Sequence, residues 1–306
     1  MPSIPPPIKR AVLPLWNAGH RLAWRAGEYL EAFQARRFDR CAACGRLGLM
    51  LYRRWVIPPE LERRWGLSER LAEAFARKET FQCASCGANL RARRLARALL
   101  DEFSTGDAPA RSIAEWVCQP TARSLRVAEI NRIDGLHEPL SKLPGLAYSE
   151  YLDDEGQSAG TGDPRHEDLT RLTYPDASFD LILTSETLEH VPDLAGALGE
   201  IRRVLAPGGR HLFTVPLLPG VPETFARAVL RPDGTVEHRA TPISHPAGDF
   251  GYPVFTEFGA DLPEILRRAG LEVEVRFGPT TEDDLAQVFI CRRSSESMAE
   301  SLSSPF

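Results

Sequence analysis

Residues 174–191 read YPDASFDLILTSETLEHV, and this stretch decides the fold. A Pro-Asp turn feeds the apolar run Phe179–Thr184, which then breaks into the polar turn Ser185-Glu186-Thr187. Apolar residues at helical spacing follow over Leu194–Leu205, and Pro207-Gly208-Gly209 closes that helix before the next run, Arg210–Val215. Outward from this core the chain repeats the alternation. Further strands are predicted at Leu125–Ile130, Leu146–Tyr151, Leu271–Phe277 and Ala286–Arg292, with a short one near Arg165–Asp168 and a helix at Asp261–Ala269. Strand and helix patterns in alternation imply an α/β fold, a largely parallel sheet with helices on both faces. Ligands of such sheets lie at the carboxyl ends of the strands, where the strand order reverses.

Residues that close the strands are therefore the candidates for a site. The first strand ends in Glu129-Ile130-Asn131, the second in Glu150-Tyr151, the short third in Asp168-Leu169, and the fourth in Ser185-Glu186. An acid at the tip of a second strand can accept both hydroxyls of a ribose. The order acid-tipped strand, Asp168-Leu169, Pro175-Asp176-x-x-Phe179-Asp180, Leu188-Glu189-His190-Val191 and Arg203-Val204-Leu205-x-Pro207-Gly208-Gly209 resembles the class I S-adenosylmethionine-dependent methyltransferases of the type 11 group. The resemblance covers Leu125–Pro216, and Phe255–Asp261 is similar to bacterial members with cysteine-bearing leaders.

The resemblance implies a Rossmann-like seven-stranded sheet whose last pair of strands is antiparallel. It implies S-adenosylmethionine as cofactor, with Glu129 near the methionine end, Glu150 on the ribose, Tyr151 beside the adenine, and Asp168 and the Leu169 amide at the adenine edge. Ser185 and Glu186 would line the sulfonium. His190 is the candidate base for an acceptor hydroxyl. His245 and Tyr252, in the Pro- and Gly-rich segment after the fifth strand, are candidate acceptor contacts. The family's first loop carries three glycines. Here Asn131 and Ile133 stand at glycine positions and only Gly135 remains. Asn tolerates a left-handed backbone, Ile does not, and the loop is expected to take another course.

Ahead of this part lie Cys41-x-x-Cys44-Gly45 and Cys83-x-x-Cys86-Gly87. Two such turns bring four thiolates to one point, the donor set of a structural zinc. The 38 residues between the pairs exceed ribbon spacing and read as an extended stretch (47–56) and a helix (59–77). Two unrelated thiol pairs or a redox dithiol are the alternatives. Cys118 and Cys291 read as plain buried cysteines.

Charge supports two units. Through Arg111 the chain has 20 Lys and Arg against 11 Asp and Glu, and beyond it 17 against 31. We therefore expect an N-terminal amphipathic helical segment (1–40), a zinc-ribbon-like module built on the four paired cysteines (41–103), a methyltransferase domain (112–293) and a Ser-rich frayed tail (294–306), with a linker at 103–111. The basic stretch Arg91–Arg97 reads as a helix packed on the acidic second part or as a phosphate grip for nucleic acid. The acidic second part argues against a large polyanion there. The N-terminal helix is expected to dock on its own protein, with peripheral membrane contact as the alternative. No run is long enough to span a membrane and no signal-peptide pattern opens the chain, so a cytoplasmic protein is expected. The leading reading is methyl transfer to oxygen or nitrogen of a small-molecule or glycan-type acceptor. A nucleic-acid methyltransferase and an inactive scaffold of the same fold are the alternatives.

Overall fold

The computed structural model describes residues 26–53, 63, 66–104, 106, 108–152, 164–217, 220–231, 233–245, 251–278 and 285–293. Most of the expected N-terminal helix, the expected helix start at 59–62 and the tail at 294–306 lie outside these residues. Residues 26–34 are helical, with Leu30 and Phe33 exposed to solvent. No helix among the described residues is long and apolar enough to cross a membrane.

The chain begins with a small antiparallel sheet of β1 (Phe38–Arg40), β2 (Leu47–Leu51) and β3 (Gln82–Cys83). Between β2 and β3 runs helix α1 (Glu69–Thr80), capped by the Ser68 hydroxyl, which accepts from the Leu71 amide. Helix α2 (Leu90–Phe103) follows, capped by the Asn89 side chain on the Ala92 amide. Each cap satisfies one of the four amides that a helix start leaves without a partner.

The main sheet starts with β4 (Val127–Ile130), β5 (Leu146–Glu150), β6 (Arg165–His166), β7 (Phe179–Ser185) and β8 (Leu205–Thr214). Helices α3 (His137–Leu140) and α4 (Leu194–Val204) lie within this run. After β8 come three short pairings: β9 (Phe225–Ala226) with β14 (Thr256–Glu257), β10 (Ala228–Leu230) with β11 (Val236–His238), and β12 (Ser244–His245) with β13 (Tyr252–Pro253). Helix α5 (Leu262–Arg268), β15 (Leu271–Arg276) and β16 (Val288–Arg293) close the domain.

The seven strands lie in the order β15-β16-β8-β7-β4-β5-β6. Pairings from β8 to β6 are parallel, and β16 is antiparallel to both β8 and β15. This is the α/β sheet the alternation predicted, with its ends within a few residues of expectation. The largest departure is β8, which begins at Leu205 because that residue already pairs with Phe179. A register shift follows, and Gly208 turns at φ +74° within the strand.

The sheet buries two cores, one on each face. Val127, Leu181, Leu183, Leu212 and Ile290 point to one, and Ala128, Ile182, Phe213, Phe289 and Cys291 to the other, the period of two that a pleated strand imposes. The first core also contains Cys41, Cys83, Ala88, Leu95, Leu99, Ile113 and Trp116. Helix α2 is thus one of the helices covering the sheet. Leu95 and Leu99 of this helix face inward at 0% exposure. Cys291 is buried as expected. Cys118 is exposed, its thiol turned toward the Ala114 carbonyl at the end of a short helical turn.

Candidate active site

Strand order reverses between β4 and β7. From β4 the chain adds β5 and β6 on one side, then crosses back to place β7 and β8 on the other. The carboxyl ends of β4, β5 and β7 therefore border the crevice where such sheets bind ligands.

At the end of β4, Asn131 adopts φ +61°, the left-handed conformation expected of it. Its amide donates to the Ser149 carbonyl, its side-chain oxygen accepts from the Tyr151 amide at 3.3 Å, and its Nδ2 reaches the Thr187 hydroxyl at 3.5 Å. The residue thus holds the turn a glycine would make and also ties together the tips of β5 and β7. Ile133 avoids the left-handed region and turns into the first core, 3% exposed. Glu129, fully buried, organises the loop between them. One carboxylate oxygen accepts from the Ile133 amide at 2.9 Å and the other pairs with His137 Nδ1 at 2.7 Å.

The hydrogen bond to Glu129 is the main cause that raises the His137 pKa above its ordinary 6.5. A raised folded-state value means the stabilisation is complete below the unfolded pKa and is lost as pH rises through the folded one. His211 and His245 have the opposite sense, because burial lowers them to about 3 and about 4. Their contribution is lost as pH falls. We expect Glu129→Gln to lower the His137 titration midpoint, read by NMR at that ring, and to flatten the alkaline-side loss of stability. An unchanged midpoint would show that the bond is not formed in solution.

Gly135 has φ +78°, and a Cβ there would lie 2.5–2.7 Å from the Cβ, Cα and amide nitrogen of Ala88. Ala88 follows the second cysteine turn, so the cofactor-type loop rests directly on the cysteine module. Gly135→Ala is expected to cost about 1–2 kcal/mol for the left-handed backbone and about 1–3 kcal/mol for overpacking, measured by urea unfolding. Gly208→Ala, at φ +74° with nothing within 4 Å of the added Cβ, supplies the backbone cost alone. Equal losses in the two variants would refute the contact.

At the tip of β5, Glu150 is 5% exposed and accepts from the Tyr148 hydroxyl. Tyr151 beside it is exposed, its ring 5.4 Å from His166. Asp168 is half-buried, and its Oδ1 accepts from both the amide and the hydroxyl of Thr170, which shapes the turn that carries Leu169. The buried acid of this loop is Glu167, bound to the Thr173 amide and hydroxyl and to Arg165.

At the end of β7, the Ser185 hydroxyl pairs with that of Thr214 at 2.9 Å, and Glu186 turns at φ +49°. Lys78 of α1, 2% exposed, lies 2.9 Å from Glu186 and 3.6 Å from Glu79, and Arg91 of α2 bridges the same two acids. Sequence reading named Glu186 but not its partners, which lie about a hundred positions earlier and carry no local signal. Arg93 and Arg94 are also engaged within the protein, on the carbonyls of Phe81 and Phe277.

Beyond Glu186 a short 3-10 turn, Leu188–His190, brings Glu189 and His190 against the β12–β13 hairpin. His190 Nδ1 bonds to the Pro253 carbonyl at 2.8 Å, which holds the hairpin, and its ring lies 5.0 Å from His245 and 5.8 Å from Tyr252. The predicted base and both predicted acceptor contacts thus come together. Burial lowers the His190 pKa below its ordinary 6.5.

The four cysteines also converge. Their sulfurs lie within 4.8 Å of one another, with Cys41 to Cys86 at 3.7 Å and Cys44 to Cys83 at 3.9 Å. Sulfurs on a tetrahedral zinc at about 2.3 Å are about 3.8 Å apart, so the arrangement fits that ion. The two turns are built alike. The Gly45 amide donates to the Cys41 carbonyl and the Cys41 amide to Arg46, as the Gly87 amide does to Cys83 and the Cys83 amide to Ala88. Gly45 at φ +77° and Gly87 at φ +75° make these turns possible. The first turn also starts the helical turn Ile113–Trp116, since the carbonyls of Ala42 and Ala43 accept from the amides of Ile113 and Ala114.

Residues 133–213, which hold part of this switch-point site, match the family model described as a methyltransferase domain. This stretch is a methyltransferase domain by that match. A probable S-adenosylmethionine-dependent methyltransferase of Mycolicibacterium smegmatis is 34% identical over 38% of this chain and 37% of its own. A ubiquinone biosynthesis O-methyltransferase of Marinobacter nauticus is 30% identical over 51% of this chain and 60% of its own. In both cases the chain matches less than two thirds of the relative's length. A solved S-adenosylmethionine-dependent methyltransferase from Mesorhizobium loti covers 55% of this chain and 91% of its own, at 19% identity and a TM-score of 0.37. The assignment to the methyltransferase domain family rests on the sequence matches and on the sheet itself.

Proposed function

We propose that the protein transfers a methyl group from S-adenosylmethionine to an oxygen or nitrogen atom of a small-molecule or glycan-type acceptor. The observation that carries this reading is the buried carboxylate of Glu150 at the tip of β5, beside the switch point and next to the exposed ring of Tyr151. A carboxylate accepts from both hydroxyls of a ribose and offers nothing to a phosphate. Asp168 and the Leu169 amide complete the adenosine end, and the loop from Asn131 to Gly135, organised by Glu129, covers the methionine end. Ser185 and Glu186 flank the centre between them.

When bound, the cofactor supplies a methyl carbon on a positively charged sulfur. Held by Glu150, Asp168 and the Asn131–Gly135 loop, it would offer that carbon to an acceptor lone pair with the sulfur as leaving group. The protein must align the acceptor and receive its proton. We assign the second task to His190, with His245 and Tyr252 at the acceptor's side. Because three of the four α2 arginines, Arg91, Arg93 and Arg94, are engaged within the protein, a small acceptor is favoured over a nucleic acid. The same reading gives the four cysteines a structural zinc, whose role is to hold the module against the loop.

Calorimetry with S-adenosylhomocysteine tests the cofactor. One site per chain is expected. No binding at millimolar ligand, together with an unchanged melting temperature, would favour a scaffold that has the fold without the activity.

A further inference from the structure

The groups around Glu189 have an electrostatic peculiarity that methyl transfer does not require. Glu189 is fully buried, and neither of its carboxylate oxygens has a hydrogen-bond partner among the described residues. Nearby cations do not resolve this, because Lys78 and Arg91 lie against Glu186 and Glu79. A buried carboxylate without a partner costs several kcal/mol, so either a proton or a cation must occupy it. At the observed distances a proton would leave its hydroxyl without an acceptor, whereas one cation would satisfy the carboxylate and both imidazoles together.

Those nitrogens are His190 Nε2 at 3.6 Å and His245 Nδ1 at 3.7 Å from the same oxygen, Glu189 Oε1. All three donor atoms lie within 4.8 Å of one another. Donors around a first-row ion at about 2.1 Å stand about 3.0–3.4 Å apart, and the two Glu189–imidazole distances are longer than that by about 0.2–0.7 Å. The tautomer of His190 is set for this use. A carbonyl can only accept, so Nδ1–H donates to Pro253 and the lone pair is left on Nε2. A ligating histidine that gives its other N–H to a backbone carbonyl is the common outer-shell arrangement of metal sites.

We propose that Glu189, His190 and His245 form a binding site for one divalent metal ion, separate from the cysteine centre. Two imidazoles and one carboxylate suit manganese, iron, cobalt or zinc and leave coordination positions open for an oxygen ligand. The site also joins two elements, the 3-10 turn after β7 and the β12–β13 hairpin, so an ion there would pin the hairpin over the strand tips. None of its three ligands is among the residues assigned to adenosine, but an ion there occupies the His190 Nε2 lone pair assigned above to the acceptor's proton, so the two roles exclude each other at that nitrogen.

Manganese(II) is the probe, since carboxylate and imidazole accept it and a thiolate centre disfavours it. The full chain, loaded with zinc, is titrated with Mn2+ and followed by calorimetry and electron paramagnetic resonance. One Mn2+ per chain is expected, with affinity at least about 10-fold weaker in Glu189→Gln and in His245→Asn. Glu189→Gln is close to isosteric, and His245→Asn changes a half-exposed hairpin residue. A retained melting temperature in either variant identifies the loss as one of ligation. Absence of Mn2+, Co2+ and additional Zn2+ binding to the zinc-loaded chain would overturn the site, as would unchanged Mn2+ affinity in both variants. Binding of S-adenosylhomocysteine, measured in parallel, reports on the methyltransferase reading alone.

Discussion

Replacing Cys83 with Ser is expected to lower the melting temperature and to loosen the Asn131–Leu136 loop in the same step. Cys83 lies at the end of β3, 1% exposed, and its sulfur is 3.9 Å from that of Cys44. Losing one of four ligands to a structural ion belongs with the most damaging single substitutions, above about 4 kcal/mol. For a domain of this size that is roughly 8–16 °C in the melting temperature. The damage would not stay within the module. Ala88, five residues on, forms the surface against which Gly135 sits, and Ala42 and Ala43 of the partner turn start the Ile113–Trp116 helix. Hydrogen exchange should therefore quicken at 131–136 and 112–116 together, and zinc content should fall by one ion per chain. Retention of the ion, or loss of the ion with unchanged exchange in the loop, would show that the centre does not support the cofactor-side loop.

Glu150→Ala is the second large effect. Hydrogen bonds to a charged acceptor are worth about 1.5–3 kcal/mol each, and two from a ribose would make S-adenosylhomocysteine binding weaker by about 100-fold or more. The Tyr148 hydroxyl loses its acceptor in this variant, so the melting temperature without ligand serves as the control. Gln at this position would keep one acceptor and should fall between Ala and wild type. If Glu150→Ala binds the ligand as tightly as wild type, the adenosine end does not lie at the tip of β5, and the orientation proposed for the whole site falls with it.

The reading of the first loop illustrates how far residue types reach. Three positions decided its course. Asn131 could be expected at positive φ because its short polar side chain tolerates that region. Ile133 could be excluded from it, since a β-branched side chain there would be strained. Gly135 takes the remaining left-handed turn at φ +78°. Where the displaced loop would go was not legible. It went toward the cysteine module, and only the packed structure places Ala88 under Gly135.

Order and period along the chain were enough to establish the sheet, its strand-end acids and the two cysteine turns. These are local properties: alternation of apolar runs, an acid at the end of a strand, a glycine after each thiol pair. What the tertiary structure decided is of another kind. It made α2 a cover for the sheet, brought Lys78 and Arg91 to Glu186, and left the Glu189 carboxylate buried between two histidines with no hydrogen bond from the described residues. Charge pairing and desolvation depend on distances between residues far apart in the chain. No periodicity records them, so the acid that the structure singles out was visible in the sequence only as one letter of a motif.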